Sequence, residues 1–253
     1  MLLLLEFIPY ITIFLFGIVV GSFLNVCIYR LPERESIVKV PSHCMSWAQL
    51  RWFDLIPLFS WLFLRGRCRR CKAEISVQYP IIEGLNGFLW VFVFLVNGMN
   101  VMSVVYCLMT SALLVLSVID WRTFEIPFGI NVFLGILGIV AVVLDKGEWL
   151  NHVIGAVCVS GFLLLLYLLS KGRAIGGGDI KLMAACGLLL GWQKSILAFL
   201  LGCIVGSVIH LFRMKISKEG HVLAMGPYLA AGIFLAALFG GQWIHWYLDA
   251  LGI

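Results

Sequence analysis

Charge is the scarcest property of this chain. Asp, Glu, Lys and Arg make up 12% of its 253 residues, while 62% are apolar. Ordinary soluble domains carry about twice that share of charge. A chain so poor in charge cannot cover its apolar surface in water, which excludes a soluble globular enzyme and leaves lipid as the main solvent. A basic leading segment is missing too. The first apolar run, Met1–Ile28, is too long for a signal peptide and is followed by similar runs, so it reads as a membrane span. The glycine cluster at Gly176–Gly178 lacks the Lys-Ser/Thr continuation of a phosphate-cradling loop. Ser22, Ser117 and Ser207 have no histidine in register, so they read as packing contacts between helices rather than nucleophiles. Neither internal repeats nor low-complexity tracts are found.

What is present begins with long apolar runs. About 20 helical residues cross a hydrocarbon core, and eight runs approach that requirement. They are Leu2–Ile28, Ile81–Val96, Val101–Ile119, Ile126–Leu144, Trp149–Ser170, Ile180–Leu190, Ile196–Phe212 and Leu223–Leu248. The sixth is short for a full span. The expected fold is therefore all-α, a polytopic helical membrane bundle of about eight spans with a cysteine-containing loop between the first two. Of 18 Lys and Arg residues, only Lys146 and Lys194 fall on one side of this arrangement. Loop 29–80 alone holds nine on the other side: Arg30, Arg34, Lys39, Arg51, Arg65, Arg67, Arg69, Arg70 and Lys72. The basic side is cytoplasmic by the positive-inside rule, so both termini face outward. The net charge of +5 thus reports orientation, and no nucleic-acid partner is expected. Five of the eight cysteines (Cys27, Cys107, Cys158, Cys186, Cys203) lie in apolar runs, where Cys acts as a small hydrophobe.

Two of the 13 acids do not read as loop residues. Asp120 ends the third span in Ser-Val-Ile-Asp-Trp-Arg-Thr, and Asp179 opens the sixth in Ile-Gly-Gly-Gly-Asp-Ile-Lys-Leu. The topology puts both at the cytoplasmic boundary, where an ionisable group is a functional candidate. Local ion pairs, Asp120 with Arg122 and Asp179 with Lys181, are the plain alternative. The glycines ahead of Asp179 favour chemistry. Glycine tolerates positive φ and close backbone approach, so a hinge carrying a carboxylate suits an extended peptide beside an acid. Two carboxylates in reach of one another share a proton, one serving as base for water and the other as acid toward a carbonyl oxygen.

These segments resemble the type IV prepilin peptidase family (prepilin leader peptidases, peptidase A24-like), bacterial Gly-x-Gly-Asp aspartic proteases. The likeness runs through Gly21-Ser-Phe-Leu-Asn-Val-Cys-Ile-Tyr-Arg-Leu-Pro32, the loop from Trp52 to Cys68, Ile75-Ser-Val-Gln-Tyr-Pro-Ile-Ile-Glu83, both acid motifs, and Met225-Gly-Pro-Tyr-Leu. It implies Asp120 and Asp179 as the catalytic pair, with Gly176, Gly177, Gly178 and Lys181 beside the substrate. The implied substrates are prepilins or pseudopilins, whose basic leader is cut from an apolar helix at the cytoplasmic face of the bacterial inner membrane. It also implies, for many members, methylation of the new N-terminus with S-adenosylmethionine. Where the family often continues Leu-Pro-Asp, this chain has Ile126-Pro127-Phe128.

The resemblance extends to the loop cysteines. Cys68-Arg-Arg-Cys71 matches half of a four-thiolate zinc knuckle, with Cys44 upstream and Trp47 where a fourth Cys would stand. His43 is the substitute ligand for a structural zinc, and a degenerate site of three reduced thiols is the alternative. Three regions are expected: 1–98 with the loop, 99–215 as the peptidase core, and 216–253 as a last span. Two other functions remain open at this level, a transporter or channel with a charged pair, and an enzyme that is mainly a methyltransferase. Against the first, the acids gather at one face. Against the second, the loop has no glycine-rich nucleotide fingerprint.

Overall fold

The computed structural model describes residues 2–38, 56–69, 71–145, 147–173, 175–216 and 224–252. Their apolar runs become helices because a backbone in lipid must satisfy its own polar groups. In chain order these are α1 (Leu2–Arg30), α2 (Phe59–Phe63), α3 (Gln78–Asn97), α4 (Val101–Thr123) and α5 (Phe128–Leu144). They continue with α6 (Trp149–Leu169), α7 (Gly177–Leu190), α8 (Trp192–Ile216) and α9 (Gly226–Leu251). Six of them, α1, α3, α4, α6, α8 and α9, are long and apolar enough to cross a bilayer. At 17 and 14 residues, α5 and α7 fall short of that criterion. The fold is an all-α polytopic membrane bundle.

The chain divides into two compact units, Met1–Met99 and Asn100–Ile253. In the first, α1 lies against α3. Gly17 faces Gly87 so closely that a Cβ on Gly17 would sit 2.7 Å from the Gly87 Cα. Small residues at such crossings let backbones meet and polar groups pair. Asn86 Nδ2 donates to the Gly17 carbonyl at 2.7 Å, and Asn25 Nδ2 donates to the Tyr79 carbonyl at 3.3 Å. The buried Glu83 carboxylate accepts from the Leu58 N–H at 2.7 Å. The polar residues of these apolar helices thus tie down both the helix pair and the returning loop.

That loop ends in a hairpin. Ile75 N–H donates to the Gly66 carbonyl at 2.7 Å and Cys68 N–H to the Ala73 carbonyl at 2.8 Å, with Arg67 and Glu74 paired across it. Trp61 Nε1 donates to the Ile75 carbonyl at 3.1 Å. Cys68 and Cys71 therefore sit on one tight turn, Cys68 buried and Cys71 half-buried. His43, Cys44 and Trp47 lie outside the described residues.

In the second unit, α4 is the most enclosed of the spanning helices. The Asn100 side chain caps its start by accepting the Ser103 N–H at 2.8 Å, which satisfies one of the orphan donors of a first turn. Phe124 closes it in the left-handed region, φ 55°, with its N–H on the Asp120 carbonyl at 2.9 Å. Helix α9 packs on α4 and α8, and α7 packs on α5 and α6. At the far end of α7, His152 Nδ1 bonds the Leu188 carbonyl at 2.8 Å. A carbonyl only accepts, so that nitrogen carries the proton.

Candidate active site

The last turn of α4 and the first turns of α5 and α7 enclose a cavity of about 320 Å³. Its wall includes Asp120, Glu125, Asn131, the three glycines, Asp179 and Lys181. The two acids singled out in the sequence thus face one space from different helices.

Asp120 is buried and fixed from outside its own helix. Its Oδ2 accepts the Gly226 N–H at 2.8 Å. Gly226 is the first residue of α9 and is followed by Pro227. The free N–H groups of a first turn carry partial positive charge and suit a carboxylate. A Cβ on Gly226 would lie 2.7 Å from that same oxygen, so glycine is needed for the approach.

Asp179 is the third residue of α7, with Gly176 at the N-cap. Its backbone N–H meets the Gly176 carbonyl at 3.2 Å, and its carboxylate lies beside the N-cap glycine. An acid three residues past the cap stands at the capping-box position. The triple glycine differs from the hinge expected of it. Gly177 and Gly178 are helical, Gly176 has φ −72°, and none of the three has positive φ. Their reasons are steric. A Cβ on Gly178 would lie 3.0 Å from the Ile126 Cβ and one on Gly176 would lie 3.1 Å from Asp179 Oδ2, while Gly177 faces open space. The glycines let the start of α7 close on the 124–127 turn and leave one backbone edge bare.

Lys181 is exposed, with its Nζ 5.4 Å from the Phe128 ring centroid. The Phe128 ring thus carries a cation on its face. Two residues of the pocket wall, and one behind Asp120, are not singled out by the sequence alone. Glu125 adds a third, exposed carboxylate to the wall. Asn131 adds a buried amide, and its only sequence signal is a polar residue in an apolar run. Gly226 lay within a noted motif, Met225-Gly-Pro-Tyr, but its bond to Asp120 spans 106 positions. Of the four proposed metal ligands, only Cys68 and Cys71 are among the described residues, and those residues contain no cluster of three or more metal-binding side chains.

Two family models match the chain: the bacterial peptidase A24 N-terminal domain over residues 15–97, and the type IV leader peptidase family over residues 107–211. The prepilin leader peptidase/N-methyltransferase of Aeromonas hydrophila is 34% identical, across 93% of this chain and 92% of that protein. The chain belongs to the type IV leader peptidase family. Prepilin leader peptidase/N-methyltransferases of Pectobacterium carotovorum subsp. carotovorum and Pseudomonas putida are 36% and 34% identical, each across 89% of this chain. No solved structure matches. The second family model contains both Asp120 and Asp179. Membership of a leader peptidase family sets aside the transporter and channel readings.

Proposed function

We propose that the protein is an intramembrane aspartic endopeptidase that removes the basic leader from type IV prepilins or pseudopilins, with Asp120 and Asp179 as its catalytic pair. The observation that carries this reading is the single cavity onto which both carboxylates open. One carboxylate, ionised, takes a proton from the attacking water, and the other, protonated, donates to the scissile carbonyl oxygen; the roles then invert. The pair titrates as a unit, so its two protonation steps belong to neither residue alone. Gly226 occupies Oδ2 of Asp120, which leaves the other oxygen for the dyad. The three glycines and Lys181 lie beside the substrate, and the bare edge at Gly177 gives an extended chain room to approach. Three acids, Asp120, Glu125 and Asp179, against one Lys suit a basic leader.

The cavity is assigned to the cytoplasmic face of the bacterial inner membrane on the distribution of Lys and Arg, and eight spans are assigned in total. Reporter fusions after Lys72 and Arg173 are expected to report cytoplasm, and one after Lys146 the outside. A cytoplasmic signal at Lys146 would overturn the orientation.

The relatives also carry the name N-methyltransferase, and methylation of the new N-terminus is proposed as a second activity. S-adenosylmethionine would supply the methyl group. Co-expression with a prepilin, followed by mass measurement of the mature N-terminus, reads both activities. An uncut substrate would refute the first, and a cut but unmethylated one the second.

A structural zinc is proposed on Cys44, Cys68, Cys71 and His43. The hairpin fits this in part, because it presents Cys68 and Cys71 from one turn, as a tetrahedral thiolate site requires. Purified protein is expected to hold about one zinc per chain, and Cys68→Ser or Cys71→Ser to lower that content. The dyad stands on other helices, so part of the cleavage should survive in these variants. A metal-free wild type that cleaves normally would establish the degenerate site instead.

A further inference from the structure

Asn131 sits in the first turn of α5, is 6% exposed, and lines the cavity that holds both aspartates. Among the described residues, neither its Nδ2 nor its Oδ1 has a hydrogen-bond partner. A buried amide left in this state costs about 1–3 kcal/mol, and nothing in the packing of α5 requires one. Leucine shares its branched skeleton, and Ile130 and Leu134 on the same helix are both buried apolar neighbours. An unpaired donor and acceptor held beside a catalytic pair are a feature the fold alone does not explain.

The chemistry of the carboxamide limits what it can meet. It offers N–H donors and a carbonyl acceptor side by side. The edge of an extended peptide offers, at alternate residues, one N–H and one C=O pointing the same way. Neither a cation nor an anion would use both halves of the amide, and an apolar side chain would use neither. We infer that Asn131 is a substrate-binding residue that pairs with the backbone of the extended peptide at the cleavage site, holding the scissile carbonyl against Asp120 and Asp179. This rests on the peptidase reading. It adds a sequence-independent backbone contact to a site otherwise described by its carboxylates, and such a contact suits an enzyme that accepts different pilins.

The test uses full-length protein in detergent and a synthetic peptide spanning a basic leader and the start of an apolar helix. A second series of peptides has single backbone N–H groups near the cut replaced by N-methyl. Asn131→Leu and Asn131→Ala are compared with wild type for KM, kcat and thermal midpoint. Asn131→Leu is expected to raise KM about tenfold, the worth of roughly one lost hydrogen bond, without lowering the thermal midpoint. One methylated position should weaken wild type by a similar factor and leave Asn131→Leu and Asn131→Ala unaffected. A purely structural amide would lower the midpoint and leave the methylation pattern intact, which would overturn the inference. Wild-type KM in both variants would overturn it too, the amide then being merely hydrated. An unmodified peptide left uncut by wild type would sink the peptidase reading itself, so the two failures are distinguishable.

Discussion

Asp120→Asn and Asp179→Asn are each expected to lower prepilin cleavage by about 10³-fold, the scale of a lost general acid–base group, while the protein still inserts. An Asn cannot exchange the proton that the pair shares, but it keeps the shape of the side chain and the oxygen that Gly226 N–H meets at 2.8 Å. The loss should therefore appear in kcat, with substrate still captured. The double variant should be little worse than either single one, because residues that act as a unit lose their function together. The wild-type rate should follow a bell-shaped pH profile, since one carboxylate must be ionised and its partner protonated. Quantitative immunoblotting of membranes checks insertion, and mass measurement of the pilin N-terminus checks cleavage. A single variant that processes substrate at near wild-type rate would refute the aspartic mechanism for this chain.

The legible parts of the fold and site were those with local causes. Apolar runs of sufficient length marked the helices, and α4 and α6 start where they were expected, at Val101 and Trp149. Boundaries drifted where a cap or a left-handed residue decides them. α4 continues past Ile119 to Thr123 because Phe124 supplies its terminating φ of 55°. The start of α7 was misread for a related reason. A run of three glycines signals permissive backbone, but helix geometry carries Gly177 and Gly178, and their lack of a Cβ serves closure on Ile126 instead. Both acids could be found because charge is rare in this chain, so an Asp at the end of an apolar run stands out. Asn131 and Glu125 escaped because their meaning depends on which helix ends meet. Sequence spacing carries no record of a cavity built from α4, α5 and α7.

Gly226 is the clearest case of such a long-range dependence, and Gly226→Ala is the second substitution with a large expected effect. Its backbone does not occupy the positive-φ region, so alanine meets no conformational penalty there. Alanine also has the better helix propensity, by about 1 kcal/mol in a helix interior. On local grounds the change should be neutral or stabilising. The obstacle is Asp120. The new methyl would sit 2.7 Å from Oδ2 and 3.0 Å from both Cβ and Cγ, well inside contact distance. Asp120 lies on the most enclosed helix of the unit, so its backbone cannot retreat, and the side chain must rotate off the α9 N-terminus. That breaks the Gly226 bond and turns the carboxylate away from Asp179. Displacement of a reacting group by about 1 Å can cost about 10²-fold in rate, and a loss of that size in kcat is expected, with a modest fall in the thermal midpoint from the broken buried bond. Gly129→Ala is the control, because Gly129 stands near the start of α5 with nothing within 4 Å of its added methyl. It should cleave as wild type does. A Gly226→Ala protein that also cleaves normally would mean that Asp120 works without its anchor on α9, and the carboxylate geometry described for the dyad would then be wrong.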